Sequence, residues 1–202
     1  MMILAYHRVN PYYKDDALSV SPESFERQVE YLLKKGFKPE LPYKDTIDIT
    51  NRDELLITFD DGYADNLWYA IPILKSFNIK PLIFLTVDYI GTDRIFSRYR
   101  DKEKDRFLNW EEVKTLSEEG ILFGSHSLSH PHLLLLDDKK IWEEVSISKK
   151  IIEEKTGKDV PYFCYPYGDF DERVIDKVKE AGYKAAFITP PRGKKVENTT
   201  YT

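Results

Sequence analysis

Short apolar runs of strand length alternate along the chain with longer stretches whose apolar residues recur at helical spacing, which predicts βα units and a parallel sheet. The first run, Ile3–Val9, reads as a strand, and a polar loop rich in Tyr and Asp follows it. Ser21 caps a predicted helix with Pro22 at its first position; Phe25, Val29, Leu32 and Leu33 share one face, and Gly36 stops it. Leu55–Phe59 is a short buried strand carrying Asp60 and Asp61 at its C-terminal end. Tyr63–Phe77 is helical in pattern, with Pro72 expected to kink it or shift its start. Pro81–Val87 is the next strand.

Asp88–Phe107, rich in basic and aromatic residues, is the least regular segment and reads as an insertion. Asn109 followed by Glu112 signals the capped start of a helix that ends at Gly120, and Ile121–Ser125 is a strand leading to His126. Pro131 places His126 and His130 on a loop rather than inside a long helix. A long amphipathic helix over Asp137–Lys155 closes at Gly157, and Tyr162–Tyr165, a helix over Asp171–Ala181 and Tyr183–Ile188 complete the alternation. The pattern holds about six strands. It predicts one domain over residues 1–189 and a polar, mobile C-terminal tail over 190–202.

Composition narrows the function classes. At 202 residues the chain can bury the core of one α/β barrel or sandwich. A net charge of −5 with acids and bases interleaved, and no long basic run, points away from nucleic acid. No stretch approaches the roughly eighteen uninterrupted apolar residues of a membrane span. The n-region, h-region and cleavage site of a signal peptide are not seen, so the expected location of the chain as written is cytoplasmic. One cysteine, Cys164, forbids an internal disulfide and says nothing for an oxidising compartment.

Candidate chemistry sits in two short stretches. TFDDG holds Asp60 and Asp61 side by side, and HSLSH holds His126 and His130. Adjacent acids before a glycine are common in ordinary turns, and a pair of histidines at this spacing is weak by itself. Three of the four histidines, however, are His126, His130 and His132, right after the apolar run ILFG. Clustered imidazoles with a carboxylate are a donor set for a divalent ion, and three protein ligands with one open position mark a hydrolytic site.

TFDDG and HSLSH, in that order, resemble the polysaccharide deacetylase or NodB-homology family of metal-dependent carbohydrate esterases, and the resemblance runs from Ile3 to Thr189. A third family motif resembles the turn Tyr165-Pro166-Tyr167-Gly168, and the opening ILAYHRV is similar to the permuted branch that includes biofilm poly-N-acetylglucosamine deacetylases. The fold this implies is a distorted (β/α) barrel of about six or seven parallel strands, with residues 88–107 lying over its mouth. The resemblance implies Asp61, His126 and His130 as metal ligands and Asp60 as general base, with Tyr167 lending its backbone N–H to an oxyanion and His7 acting as acid. It implies zinc first, with cobalt or nickel also fitting, and no other cofactor. The implied reaction is removal of N-acetyl groups from an N-acetylglucosamine-containing polysaccharide or oligosaccharide, and the family often acts at the cell envelope or outside the cell.

Many family members carry an Arg that orients the catalytic Asp; Cys164 stands at that place here. His132, following Pro131, is expected to be structural. Tyr63, Trp68, Trp110, Phe163, Tyr165 and Tyr167 offer flat faces for a sugar ring, but aromatic residues are more often core. Two other functions fit some of the same features: a metal-dependent amidase acting on a small cyclic amide, and a non-catalytic carbohydrate-binding relative. The intact set Asp60, Asp61, His126 and His130 ranks the second of these below an enzyme.

Overall fold

A computed structural model describes residues 1–40 and 52–188. The tail expected at 190–202 lies outside the described residues. The strands, in chain order, are β1 (Met2–Tyr6), β2 (Arg8–Val9), β3 (Ser19–Val20), β4 (Lys38–Pro39), β5 (Glu54–Phe59), β6 (Leu82–Leu85), β7 (Leu122–Ser125), β8 (Tyr162–Cys164) and β9 (Ala185–Phe187). The helices are α1 (Pro22–Lys34), α2 (Ile71–Ser76), α3 (Trp110–Glu118), α4 (Asp138–Thr156) and α5 (Glu172–Glu180). A parallel seven-stranded sheet has the order β1-β5-β6-β7-β8-β9, with β4 also paired to β5, and β2 and β3 form a separate parallel pair. This is the α/β architecture that the alternation predicts.

Three expectations are corrected. Ile3–Val9 is not one strand: the chain breaks at His7, and Arg8–Val9 turns away to pair with Ser19–Val20. A strand at Lys38–Pro39 pairs with Glu54 and Leu55, and its two exposed residues carry no apolar pattern by which to recognise it. The helix expected over Tyr63–Phe77 is shorter and divided, with a π-helical turn at Asn66–Ala70 leading into α2, where Pro72 occupies the first turn and its missing N–H costs nothing.

The contacts fall into two compact units. One, built from Met1–Ile83 and Tyr89–Leu122, carries β1 to β5 and α1 to α3. Ser21 caps α1 by accepting from the Ser24 N–H at 3.2 Å, and the buried Phe25, Val29 and Leu32 form its inner face. Phe25 meets Tyr6 edge-on at 5.0 Å and Phe59 at 5.9 Å; burial of each such side chain contributes about 2 kcal/mol. In α3 the capping box is complete, with Asn109 accepting from Glu112 N–H and Glu112 accepting from Asn109 N–H.

Within the segment expected to be irregular, Tyr99, Lys104 and Asp105 surround a buried arginine of this unit. Arg8 donates to Asp65 Oδ2 at 2.6 Å, Asp105 Oδ1 at 2.7 Å and the Lys104 carbonyl at 2.8 Å. Two carboxylates thus share one guanidinium. Asp105 also accepts from the Tyr13 hydroxyl and the Asp101 N–H, while Asp65 is pushed up to about 6 by burial, against the pull of Arg8 and with a small push from Asp105. A carboxyl whose folded pKa exceeds its usual 3.8 binds its proton more tightly in the folded state. Its contribution to stability is therefore complete below about pH 4 and lost as the pH rises through about 6. Asp65→Asn should flatten that part of the stability curve, measured by urea unfolding across this pH range; an unchanged slope would exclude Asp65 as its source.

The second unit comprises Phe84–Asp88 and the chain from Phe123 onward, with α4, α5, β8 and β9. Asp137 caps α4, and Gly157 ends it at φ 68°. Gly124 sits where a Cβ would lie 2.5 Å from the Phe84 ring and 2.9 Å from the Tyr162 carbonyl, so the close approach of these strands requires glycine. Among the described residues no helix is long and apolar enough to cross a membrane.

Candidate active site

In the first unit the site begins with strand register. Tyr6 lies opposite Phe59, and the Asp60 N–H donates to the Tyr6 carbonyl at 2.9 Å, so β1 and β5 end level with each other. The residues after these two ends, His7 and Asp60, therefore become neighbours, with His7 Nε2 3.9 Å from Asp60 Oδ2. Every residue of β5 is buried, and Asp60 and Asp61 stay buried beyond it. The Gly62 N–H closes back onto the Asp60 carbonyl at 2.9 Å, which holds Asp61 at φ 71°. A left-handed non-glycine residue costs about 1–3 kcal/mol and persists where the surroundings over-determine it.

In the second unit, the His126 N–H donates to the Leu85 carbonyl and the residue is buried at the end of β7. Its Nδ1 lies 2.8 Å from the carbonyl oxygen of Cys164. A carbonyl only accepts, so Nδ1 carries the hydrogen and Nε2 presents its lone pair. That lone pair faces His130 Nε2 at 3.2 Å. The loop between the two histidines bends through Ser127 at φ 65° and His130 at φ 62°. Ser127 Oγ accepts the His130 N–H at 3.0 Å, and Glu144 of α4 accepts from Leu128 N–H, Ser129 N–H and the Ser129 hydroxyl at 2.9, 2.8 and 2.6 Å. Neither Glu144 nor the Cys164 carbonyl was singled out in the sequence. A glutamate in an amphipathic helix looks like surface, and a backbone oxygen leaves no residue-type signal.

The YPYG turn lies in the same unit. Gly168 and Asp169 N–H close onto the Tyr165 and Pro166 carbonyls, with Tyr167 between them at φ 61°, ψ 1°. Tyr167 is 54% exposed, and its ring stacks on His132 at 3.9 Å and 14° and meets His130 edge-on at 4.6 Å. His132, expected to be structural, is held by Asp169 through Nδ1 at 2.5 Å. Of the other aromatic candidates, Tyr63, Phe163 and Tyr165 are core, and Trp68 lies under the Arg106 guanidinium at 4.8 Å. The structure thus brings His7 to Asp60 in one unit, and His126, His130 and Tyr167 to one another in the other.

The family model for polysaccharide deacetylase matches residues 48–186, more than half of the chain and all of both motifs. The chain belongs to the polysaccharide deacetylase family. Among curated relatives in or near this family, YxkH of Bacillus subtilis is 27% identical over 194 residues, covering 94% of this chain and 64% of its own. The Bacillus subtilis peptidoglycan-N-acetylmuramic acid deacetylase PdaA is 26% identical over 68% of this chain and 46% of its own length. The chain therefore spans between about half and two thirds of the length of these relatives. Among solved structures, IcaB from Ammonifex degensii superposes with a TM-score of 0.78 at 24% identity, over 91% of this chain and 81% of that one, which establishes the shared deacetylase barrel fold. BC0361, a polysaccharide deacetylase from Bacillus cereus, gives 0.75 at 26% identity, over 91% and 56%.

Proposed function

We propose that this chain is a divalent-metal-dependent hydrolase that removes N-acetyl groups from an N-acetylglucosamine-containing glycan, with Asp61, His126 and His130 holding the ion. The observation that carries this reading is the pair of facing Nε2 atoms, 3.2 Å apart. Two Zn–N bonds of about 2.0–2.1 Å at a tetrahedral angle place their nitrogens roughly 3.3 Å apart, so the imidazole pair fits one ion. Fixing His126 through Nδ1 is also the usual support of a metal-ligating imidazole. The proposed set takes its carboxylate, Asp61, from the TFDDG motif. Two imidazoles and one carboxylate suit zinc, cobalt or nickel.

Bound there, a divalent ion supplies Lewis acidity toward the acetyl carbonyl and acidifies water. The chain's own groups do the rest. Asp60, outside that donor group, takes the proton of the attacking water. The Tyr167 N–H donates to the oxygen on which charge develops, a role worth roughly 3 kcal/mol when well placed. His7 gives a proton to the departing amine, which leaves poorly as an anion. The names of PdaA and of the Bacillus cereus peptidoglycan-N-acetylglucosamine deacetylase, 26% identical, support an N-acetylated cell-wall sugar as the substrate class.

Metal analysis of the purified protein, coupled to acetate release from chitooligosaccharides, poly-N-acetylglucosamine and peptidoglycan fragments, tests the proposal. Chelation should stop acetate release, and zinc, cobalt or nickel should restore it. Release that survives complete metal removal would overturn the reading. Glu144→Ala supplies a separate check: without the carboxylate that ties down residues 128 and 129, metal affinity should fall about 10–100-fold. Titration against a metal-indicator dye reads that shift, and unchanged affinity would make the Glu144 contacts irrelevant to the ion.

A further inference from the structure

His7 lies at the break between β1 and β2, where the sheet ladder does not hold it. A side chain takes over. Asn66 Nδ2 donates to the His7 carbonyl at 2.8 Å, and Asn66 Oδ1 accepts the Val9 N–H at 3.2 Å. One amide therefore spans the chain on both sides of Arg8. The preceding residue, Asp65, takes the Arg8 guanidinium at 2.6 Å and accepts from Asn10 Nδ2 at 3.0 Å. Residues 7 to 10 are thus tied, residue by residue, to the two side chains that follow the Asp60–Asp61 turn.

The arrangement is costly for a mere staple. Arg8 is fully buried, enclosed by the rings of Tyr13, Tyr63 and Tyr99 at 5.0, 4.6 and 4.4 Å from its Cζ. A buried ionic cluster contributes little net stability compared with well-packed apolar residues, because desolvation offsets the attraction; its best-attested use is to specify one arrangement. What this one specifies is the relation between residue 7 and the turn carrying residue 60, whose side chains stand 3.9 Å apart.

We propose that Asn66, backed by the Asp65–Arg8 pair, is a positioning residue that holds His7 where it can protonate the leaving amine. The inference rests on the acid role given to His7 above, and its test separates the two. Each variant is assayed on two substrates: an N-acetylated chitooligosaccharide, whose amine must be protonated to leave, and an aryl acetate, whose phenolate leaves unaided. The quantity read is the ratio of the two kcat/KM values on one preparation, in which any unfolded fraction cancels.

His7→Ala should lower the amide-to-ester ratio about 100-fold, the size of a lost general acid. Asn66→Ala should lower it about tenfold, as expected when a catalytic group is displaced rather than removed. In the double variant the ratio should match that of His7→Ala alone, because Asn66 acts through the same group. Asn66→Asp keeps the acceptor for the Val9 N–H, removes the donor to the His7 carbonyl, and should shift the ratio in the same direction. If His7→Ala lowers the ratio while both Asn66 variants leave it unchanged, the positioning role is overturned and Asn66 is structural. If His7→Ala slows both substrates equally, the acid role itself falls.

Discussion

Replacing His130 should remove bound metal and acetate release together. Two ring nitrogens 3.2 Å apart leave no room for a third atom between them other than one bonded to both, and an ion held by three protein groups loses a third of its anchorage with one imidazole. Retention after gel filtration should fall by more than about 100-fold, beyond what loss of a supporting contact costs. His130 stands at φ 62°, where alanine is strained, so His130→Asn, which tolerates the left-handed backbone, separates the lost ligand from backbone effects. Both variants should be metal-poor and inactive. Stoichiometric metal in either would take His130 out of the ligand set.

Asp60→Asn should keep its metal and lose turnover by about two orders of magnitude or more, the cost of removing a positioned general base. Asparagine preserves the shape of the side chain and the backbone bond to Tyr6. The paired variant, Asp61→Asn, should lose metal as well as activity. This contrast also discriminates between the two adjacent carboxylates as the metal ligand. Metal lost from Asp60→Asn but retained in Asp61→Asn would exchange the roles. A near wild-type rate in Asp60→Asn would make that carboxylate structural.

Much of this was legible in the chain. The helices over 22–34, 110–118, 138–156 and 172–180 were readable because caps and apolar spacing are local properties: Ser21, Asn109, Asp137 and Asp171 each accept from a backbone N–H in the first turn they open. β5 was readable because a strand buried on both faces is mostly apolar, here through Leu55, Leu56, Ile57 and Phe59. The residues proposed as ligands and base could be picked out because metal and proton chemistry require particular side chains, and the motifs TFDDG and HSLSH supply them within a few residues.

The remainder depended on pairing across the chain. β4 exists because Lys38 and Pro39 find Glu54 and Leu55, which nothing in its two residues announces. At the break after Tyr6, Asn66 satisfies the His7 carbonyl and the Val9 N–H, a pairing across more than fifty residues. Arg8 is drawn into the core because Asp65 and Asp105, far along the chain, take its guanidinium. The tautomer of His126 was set by the carbonyl of Cys164, a backbone atom that every residue type possesses. By itself, then, the sequence determined the alternation of elements and the inventory of reactive groups, since both follow from side-chain type and local period. Which groups meet, and with what lone pair or proton directed at the partner, was decided by the tertiary structure, because strand register and long-range hydrogen bonds link residues whose separation along the chain carries no signal.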